Sequence, residues 1–193
     1  LAIFRLRRNL NTEDEKYARL FDDCSETIVN EIENLRNLAD EFSKFARMPE
    51  PQFQPCDVNK LIRDTLNLYE NLPNNINIDA QFASDLPQAN LDEGQIKQVL
   101  HNIIKNAIEA TSDGGKLQVV TGLDDNIISI EITDTGCGMS EEVKAKLFTP
   151  YFTTKQKGTG LGMAIVQRII EQHDGEIDIE SQEGVGTTVR IRL

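Results

Sequence analysis

Thr153–Val166 reads TTKQKGTGLGMAIV. Gly158, Gly160 and Gly162 stand at alternate positions and lead straight into an apolar helical pattern. Backbone without Cβ atoms can approach a ligand closely and takes positive φ at little cost. A helix starting beside such a turn offers unpaired N–H groups and a positive dipole end, which suits phosphate. Charge agrees with this: Val143 to Ile170 holds five Lys or Arg and no Asp or Glu, in a chain with 32 acidic residues among 193. The stretch reads as the phosphate end of a nucleotide site. A loop that needs its glycines only to turn is the competing reading of the same spacing.

Twenty Lys and Arg against 32 Asp and Glu give a net charge of −12. That argues against nucleic acid as a general partner, because phosphate backbones want a basic face. Cys24, Cys56 and Cys137 lack metal-ligand spacing and read as reduced thiols in a cytoplasmic setting. No apolar run is long enough to span a bilayer, and no signal peptide is visible. The chain opens in helix-like sequence without Met or cap, so it is expected to be a fragment; a membrane segment upstream stays open.

Residues 1–10 look like the end of an amphipathic helix, and Asn9, Asn11 and Thr12 mark a turn. A long helical pattern follows from about Asp14 to Met48. Phe21, Ser25, Ile28, Ile32, Leu35, Ala39, Phe42 and Ala46 recur in steps of four and three, a heptad seam. The spacing predicts a helical hairpin completed by a second chain into a four-helix bundle. A helix lying on its own domain is the alternative. Residues 49–56 are proline-rich and read as a linker. Beyond it, Asp57 is expected to cap a helix from Val58 to about Tyr69, and Ile76 to Phe82 alternates as a strand. Asp92 with Gln95 resembles a capping box for a helix to about Thr111. Strands are expected at 116–121 and 126–133 around a short Asp-containing turn. Ser140 caps a short helix, another runs from the glycine stretch to about His173, and strands 176–181 and 186–193 close the chain. The fold class is therefore α+β: a helical hairpin followed by a two-layer α/β sandwich with a mainly antiparallel sheet.

Three groups carry chemistry. Asp134 shares parity with Ile128, Ile130 and Ile132, so its strand aims a carboxylate toward the apolar side, where it needs a donor. Gly136 and Gly138 follow and leave space beside it; an adenine amino group is a suitable donor. An Asp capping its own turn is the plainer alternative, and an aspartic-protease Asp-Thr-Gly leaves the glycine stretch unexplained. On the helix 95–110, Asn102, Asn106 and Glu109 flank an apolar stripe of Ile96, Val99, Leu100, Ile103, Ala107 and Ala110. Asn oxygens suit Mg²⁺, though two Asn on a helix surface are ordinarily just solvated. Finally, Phe148-Thr149-Pro150-Tyr151-Phe152 precedes Lys155 and Lys157 and suggests a lid anchored by its rings. A surface loop with hydrophobic pins competes with it.

In order, NIIKNAIEA, DTGCG, FTPYFTTK, GTGLG and EGVGTT resemble the N box, first glycine box, F box and second and third glycine elements of sensor histidine kinases. The chain resembles the nitrogen-regulation (NtrY/NtrB-like) subgroup, over residues 57–193; residues 1–48 resemble it by pattern only, as the dimerisation and phosphoacceptor hairpin. The resemblance implies a Bergerat-type ATP-binding sandwich, ATP and Mg²⁺ as cofactors, homodimerisation, and transfer to a histidine and then to a response-regulator aspartate. By motif position, Asp134 would bind the adenine amino group, beside Gly136 and Gly138. Asn106 would coordinate Mg²⁺, with Asn102 assisting. Lys105 and Lys155 would contact phosphates. Phe152, Thr154, Gly158, Thr159, Gly160, Leu161 and Gly162 would form the lid and helix start, with Gly186 and Thr187 on the far side. Related ATPases of this fold carry a water-activating Glu where this chain has Asn102, which favours transfer over hydrolysis. Of the two histidines, His101 is expected against the core and His173 at a turn. The acceptor is then expected upstream of Leu1, so the fragment alone should not autophosphorylate. A dimeric nucleotide-binding adaptor and an ATPase of the same fold are the rivals. The setting is cytoplasmic, or the cytoplasmic portion of a membrane-bound sensor.

Overall fold

The computed structural model describes residues 15–46, 48–69, 76–111, 114–155 and 158–193. They fall into two compact units, divided between residues 47 and 48. In the first, α1 runs Glu15–Ala46 without interruption. Of its heptad seam, Ile28, Ile32 and Leu35 are 53%, 58% and 60% exposed. The expected first arm of a hairpin, residues 1–10, lies outside the described residues.

The second unit opens with β1 (Gln54–Cys56) and α2 (Val58–Leu66), which ends in a 3₁₀ turn at Asn67–Tyr69. Next come β2 (Asn77–Gln81), β3 (Ala89–Leu91), α3 (Glu93–Ala110), β4 (Lys116–Asp124) and β5 (Ile127–Asp134). The chain closes with α4 (Glu141–Lys146), α5 (Gly162–Gln172), β6 (Glu176–Gln182) and β7 (Gly186–Arg192). A five-stranded sheet has the order β2-β4-β5-β7-β6. Its β2–β4 pair is parallel and the others are antiparallel, so the expected two-layer α/β sandwich is present. β4 and β5 run longer than expected because their connection is only Asp125-Asn126, both at positive φ (46° and 69°), a tight turn that matches strand twist.

Alternation makes the two layers. Ile128, Ile130 and Ile132 of β5 are buried beneath α3 and α5, whose Leu100, Ile103, Ile104, Ile169 and Ile170 are all at most 2% exposed. On the outer face Arg190 reaches Glu131 at 2.7 Å and Glu180 at 2.6 Å. The helix starts follow their capping residues: Asp57 accepts from Lys60 N at 3.0 Å, Asp92 from Gln95 N at 2.9 Å and Ser140 from Val143 N at 3.4 Å.

The capping box at Asp92 is built only halfway. Gln95 donates through Nε2 to Pro49 O at 3.1 Å, and the Asp92 backbone N–H goes instead to His173 Nε2 at 3.0 Å. The proline-rich stretch is tied down with it. Gln52 N donates to the Asp92 carboxylate at 2.8 Å, Phe53 stands edge-on to His173 at 5.2 Å, and β1 pairs with β3. Among the described residues no helix is long and apolar enough to cross a membrane.

Candidate functional site

Asp134 is the last residue of β5 and only 6% exposed, on the face its parity predicts. Its Oδ1 accepts the Gly136 N–H at 2.8 Å, so the carboxylate does cap its own turn, and the Thr187 N–H also points at it. Burial pushes this carboxyl above its ordinary range, against the pull of those two donors. The turn that follows is wedged. A Cβ on Gly136 would stand 2.6 Å from Ala110 O, one on Gly138 1.9 Å from Gln182 O, and one on Gly186 2.0 Å from Asp134 O. Cys137 N donates to Ala110 O at 3.0 Å and Gly184 N to Cys137 O at 2.7 Å, clamping the turn between α3 and the β6–β7 connection.

α3 carries the remaining groups. Asn102 Nδ2 donates to Gly162 O at 3.2 Å, and the Asn102 side chain lies 3.8 Å from where a Gly162 Cβ would be. One turn on, Asn106 Oδ1 accepts from Lys155 Nζ at 2.8 Å, and Glu109 pairs with the same ammonium at 2.5 Å. Lys105 is exposed and 3.9 Å from the other oxygen of Glu109. From Asn102 to Ala110 is about 12 Å along the helix axis. Within that length α3 touches the start of α5, the lysine of the glycine-flanked loop, and the turn after Asp134.

Residues 91–193 match the family described as histidine kinase-, DNA gyrase B-, and HSP90-like ATPase. The chain belongs to this ATPase family. Membership implies ATP binding. The ATPase-family chain is 34% identical over 201 residues to nitrogen regulation protein NtrY of Azorhizobium caulinodans, across 100% of this chain and 26% of that relative. It thus spans about a quarter of the length of that protein. The nucleotide-free catalytic domain of histidine kinase ThkA is 35% identical with a TM-score of 0.67, covering 74% of this chain and 95% of that one. ThkA in complex with response regulator protein TrrA is 27% identical with a TM-score of 0.74, covering 99% and 55%.

The Leu161 side chain is fully buried, so only its backbone can face a ligand. It stands at the N-cap of α5, which has no side-chain cap and no acid in its first turn, leaving those N–H groups without local acceptors. Gly160 has φ of 70°, and Tyr151 N donates to Gly160 O at 3.0 Å, which draws the loop ends together. Gly158 and Thr159 are half-buried and Thr154 exposed. Phe152 is half-buried with the Lys146 ammonium 6.0 Å from its ring. Tyr151, expected to anchor a lid, is 50% exposed at φ of 67°. Thr187 bonds Ser181 through its hydroxyl at 2.9 Å. Lys157 lies outside the described residues.

The two histidines differ. His173 is 8% exposed; Nδ1 lies 2.8 Å from Ile169 O while Nε2 faces the Asp92 N–H, which assigns the neutral Nδ1–H tautomer. His101 is not packed against the core: it is exposed, with Tyr69 Oη 2.8 Å from its Nδ1. Only the apolar side of α3 meets the sheet, and position 101 falls on the other.

Proposed function

We propose that this chain is the catalytic core of a sensor histidine kinase. It binds Mg-ATP and passes the γ-phosphoryl group to a histidine outside these 193 residues, for onward transfer to a response-regulator aspartate. Residues 1–48 are assigned to a dimerisation and phosphoacceptor hairpin, 49–56 to the connection and 57–193 to the ATP-binding domain. The observation carrying this is the convergence on α3 of the Asp134 turn, the Asn102–Asn106 face and the uncapped start of α5.

In this assignment the buried Asp134 carboxylate accepts a hydrogen bond from the adenine amino group, which gives it a further donor and offsets part of the cost of its burial. Gly136, Gly138, Gly186 and Thr187 frame that end. The α5 N–H groups, Gly158 to Gly162, Lys105 and Lys155 receive the phosphates. Asn106 Oδ1 fits a Mg²⁺ ion, since this neutral oxygen already faces a cation, the Lys155 ammonium. The metal supplies charge neutralisation on the phosphates when bound. Asn102 holds the α5 start and, being an amide, takes no proton from water. The protein's part is positioning and charge, which suits transfer to a protein nucleophile. The exposed, heptad-spaced Ile28, Ile32 and Leu35 are the dimerisation seam.

The test is incubation of the full-length protein with γ-labelled ATP and Mg²⁺. Label retained on protein, acid-labile and alkali-stable, and lost in Asn106→Ala, is expected. Steady phosphate release with no labelled protein would overturn the assignment.

A further inference from the structure

Glu109 has no role in the mechanism above, yet it pairs closely with a lysine at the phosphate end. Its carboxylate and Asn106 Oδ1 lie one turn apart on α3 and grip one ammonium, that of Lys155, at 2.5 and 2.8 Å. Lys105 approaches the far oxygen of Glu109 only to 3.9 Å, so the carboxylate is committed mainly to Lys155. Asn106 Oδ1 is also the atom assigned to Mg²⁺. Two cations on one amide oxygen repel each other, so the grip on Lys155 opposes metal binding there.

We propose that Glu109 is a positioning residue that parks Lys155 on the metal-binding amide, so that Mg-ATP enters as the lysine leaves Asn106 for the phosphates. This rests on the assignment of the site to Mg-ATP. Glu109 then sets nucleotide affinity by competition, without itself touching the nucleotide.

Calorimetry of adenylyl imidodiphosphate with Mg²⁺ on the full chain tests this, using Glu109→Gln, Lys155→Gln and the double variant. Freeing the lysine from a half-exposed pair should tighten binding about two- to five-fold in Glu109→Gln. In the Lys155→Gln background the same change should have no such effect, because nothing is left to park. An equal gain in both backgrounds means simple charge repulsion and overturns the proposal, as does weaker binding in Glu109→Gln. A second readout is the ¹⁵N signal of the Lys155 ammonium. It should shift both in Glu109→Gln and on adding the Mg-nucleotide to wild type; an unmoved signal also overturns parking. If wild type binds no nucleotide, the functional assignment falls and this proposal with it. If it binds with no coupling between the two positions, parking alone falls.

Discussion

Asp134→Asn keeps the shape of the side chain and removes its charge. In the wild type Oδ1 accepts the Gly136 N–H at 2.8 Å, and the Thr187 N–H also points at the carboxylate. An Asn oxygen can keep the bond to Gly136. Its NH₂ then takes the place of the other oxygen and turns a donor toward the adenine amino group, itself a donor. Losing a hydrogen bond to a charged acceptor costs about 1.5–3 kcal/mol, or about 10- to 150-fold in Kd. Calorimetry with a non-hydrolysable ATP analogue measures that loss, and thermal melts check the fold. In the folded protein the relief of burial that raises the Asp134 carboxyl offsets the acceptor lost opposite the Gly136 and Thr187 N–H groups, so the change should leave the fold intact. The pH dependence has a definite sign. A carboxyl raised on folding adds stability below its unfolded pKa, and that stability is lost as pH rises through the folded value. The melting temperature of wild type should therefore fall relative to Asp134→Asn as pH rises from acid toward neutral. Nucleotide affinity unchanged within two-fold would refute the placement of Asp134 against the base. So would a loss of affinity matched by a collapse in melting temperature.

Gly138→Ala should destabilise the ATP-binding unit by about 2–4 kcal/mol, since it adds left-handed strain to an overlap; φ there is 63° and the new Cβ would stand 1.9 Å from Gln182 O. A lower urea midpoint checks this. Ile32→Asp should yield monomers in analytical ultracentrifugation with nucleotide affinity unchanged, as Ile32 is 58% exposed in the single chain. His173→Phe keeps a ring against Phe53 but leaves the Asp92 N–H without its acceptor, a loss of about 1–3 kcal/mol in chemical denaturation.

What was legible in the sequence was whatever depends on neighbours a few residues away. The parity of β5 placed Asp134 on the buried face, and the caps at Asp57, Asp92 and Ser140 follow from one residue type and one spacing. What escaped depends on distant partners. Gln95 was spaced for a reciprocal cap, but Pro49 O, 46 residues away, takes its amide and His173 takes the Asp92 N–H. β3 is only three residues long and has too little alternation to announce itself; it exists as the partner of β1. His101 follows the buried Leu100, yet α3 turns it outward to Tyr69, and no local pattern encodes that hydroxyl. At the site, residue types were readable, but the engagement of Lys155 with Glu109 was not, because it joins a loop to a helix 46 residues earlier.

β5 is hydrogen-bonded along both flanks, to β4 and β7, and Asp134 ends it. Lys155, by contrast, is fixed by side-chain contacts on an exposed stretch. One end of the site is thus a stiff anvil and the other a compliant grip. Amide hydrogens around Ile132 should exchange only on whole-domain opening, and those near Thr154 far sooner. A flat amino-bearing heterocycle could seat on the anvil with no help from the grip, so fragments of that shape would bind this domain whatever its loop is doing.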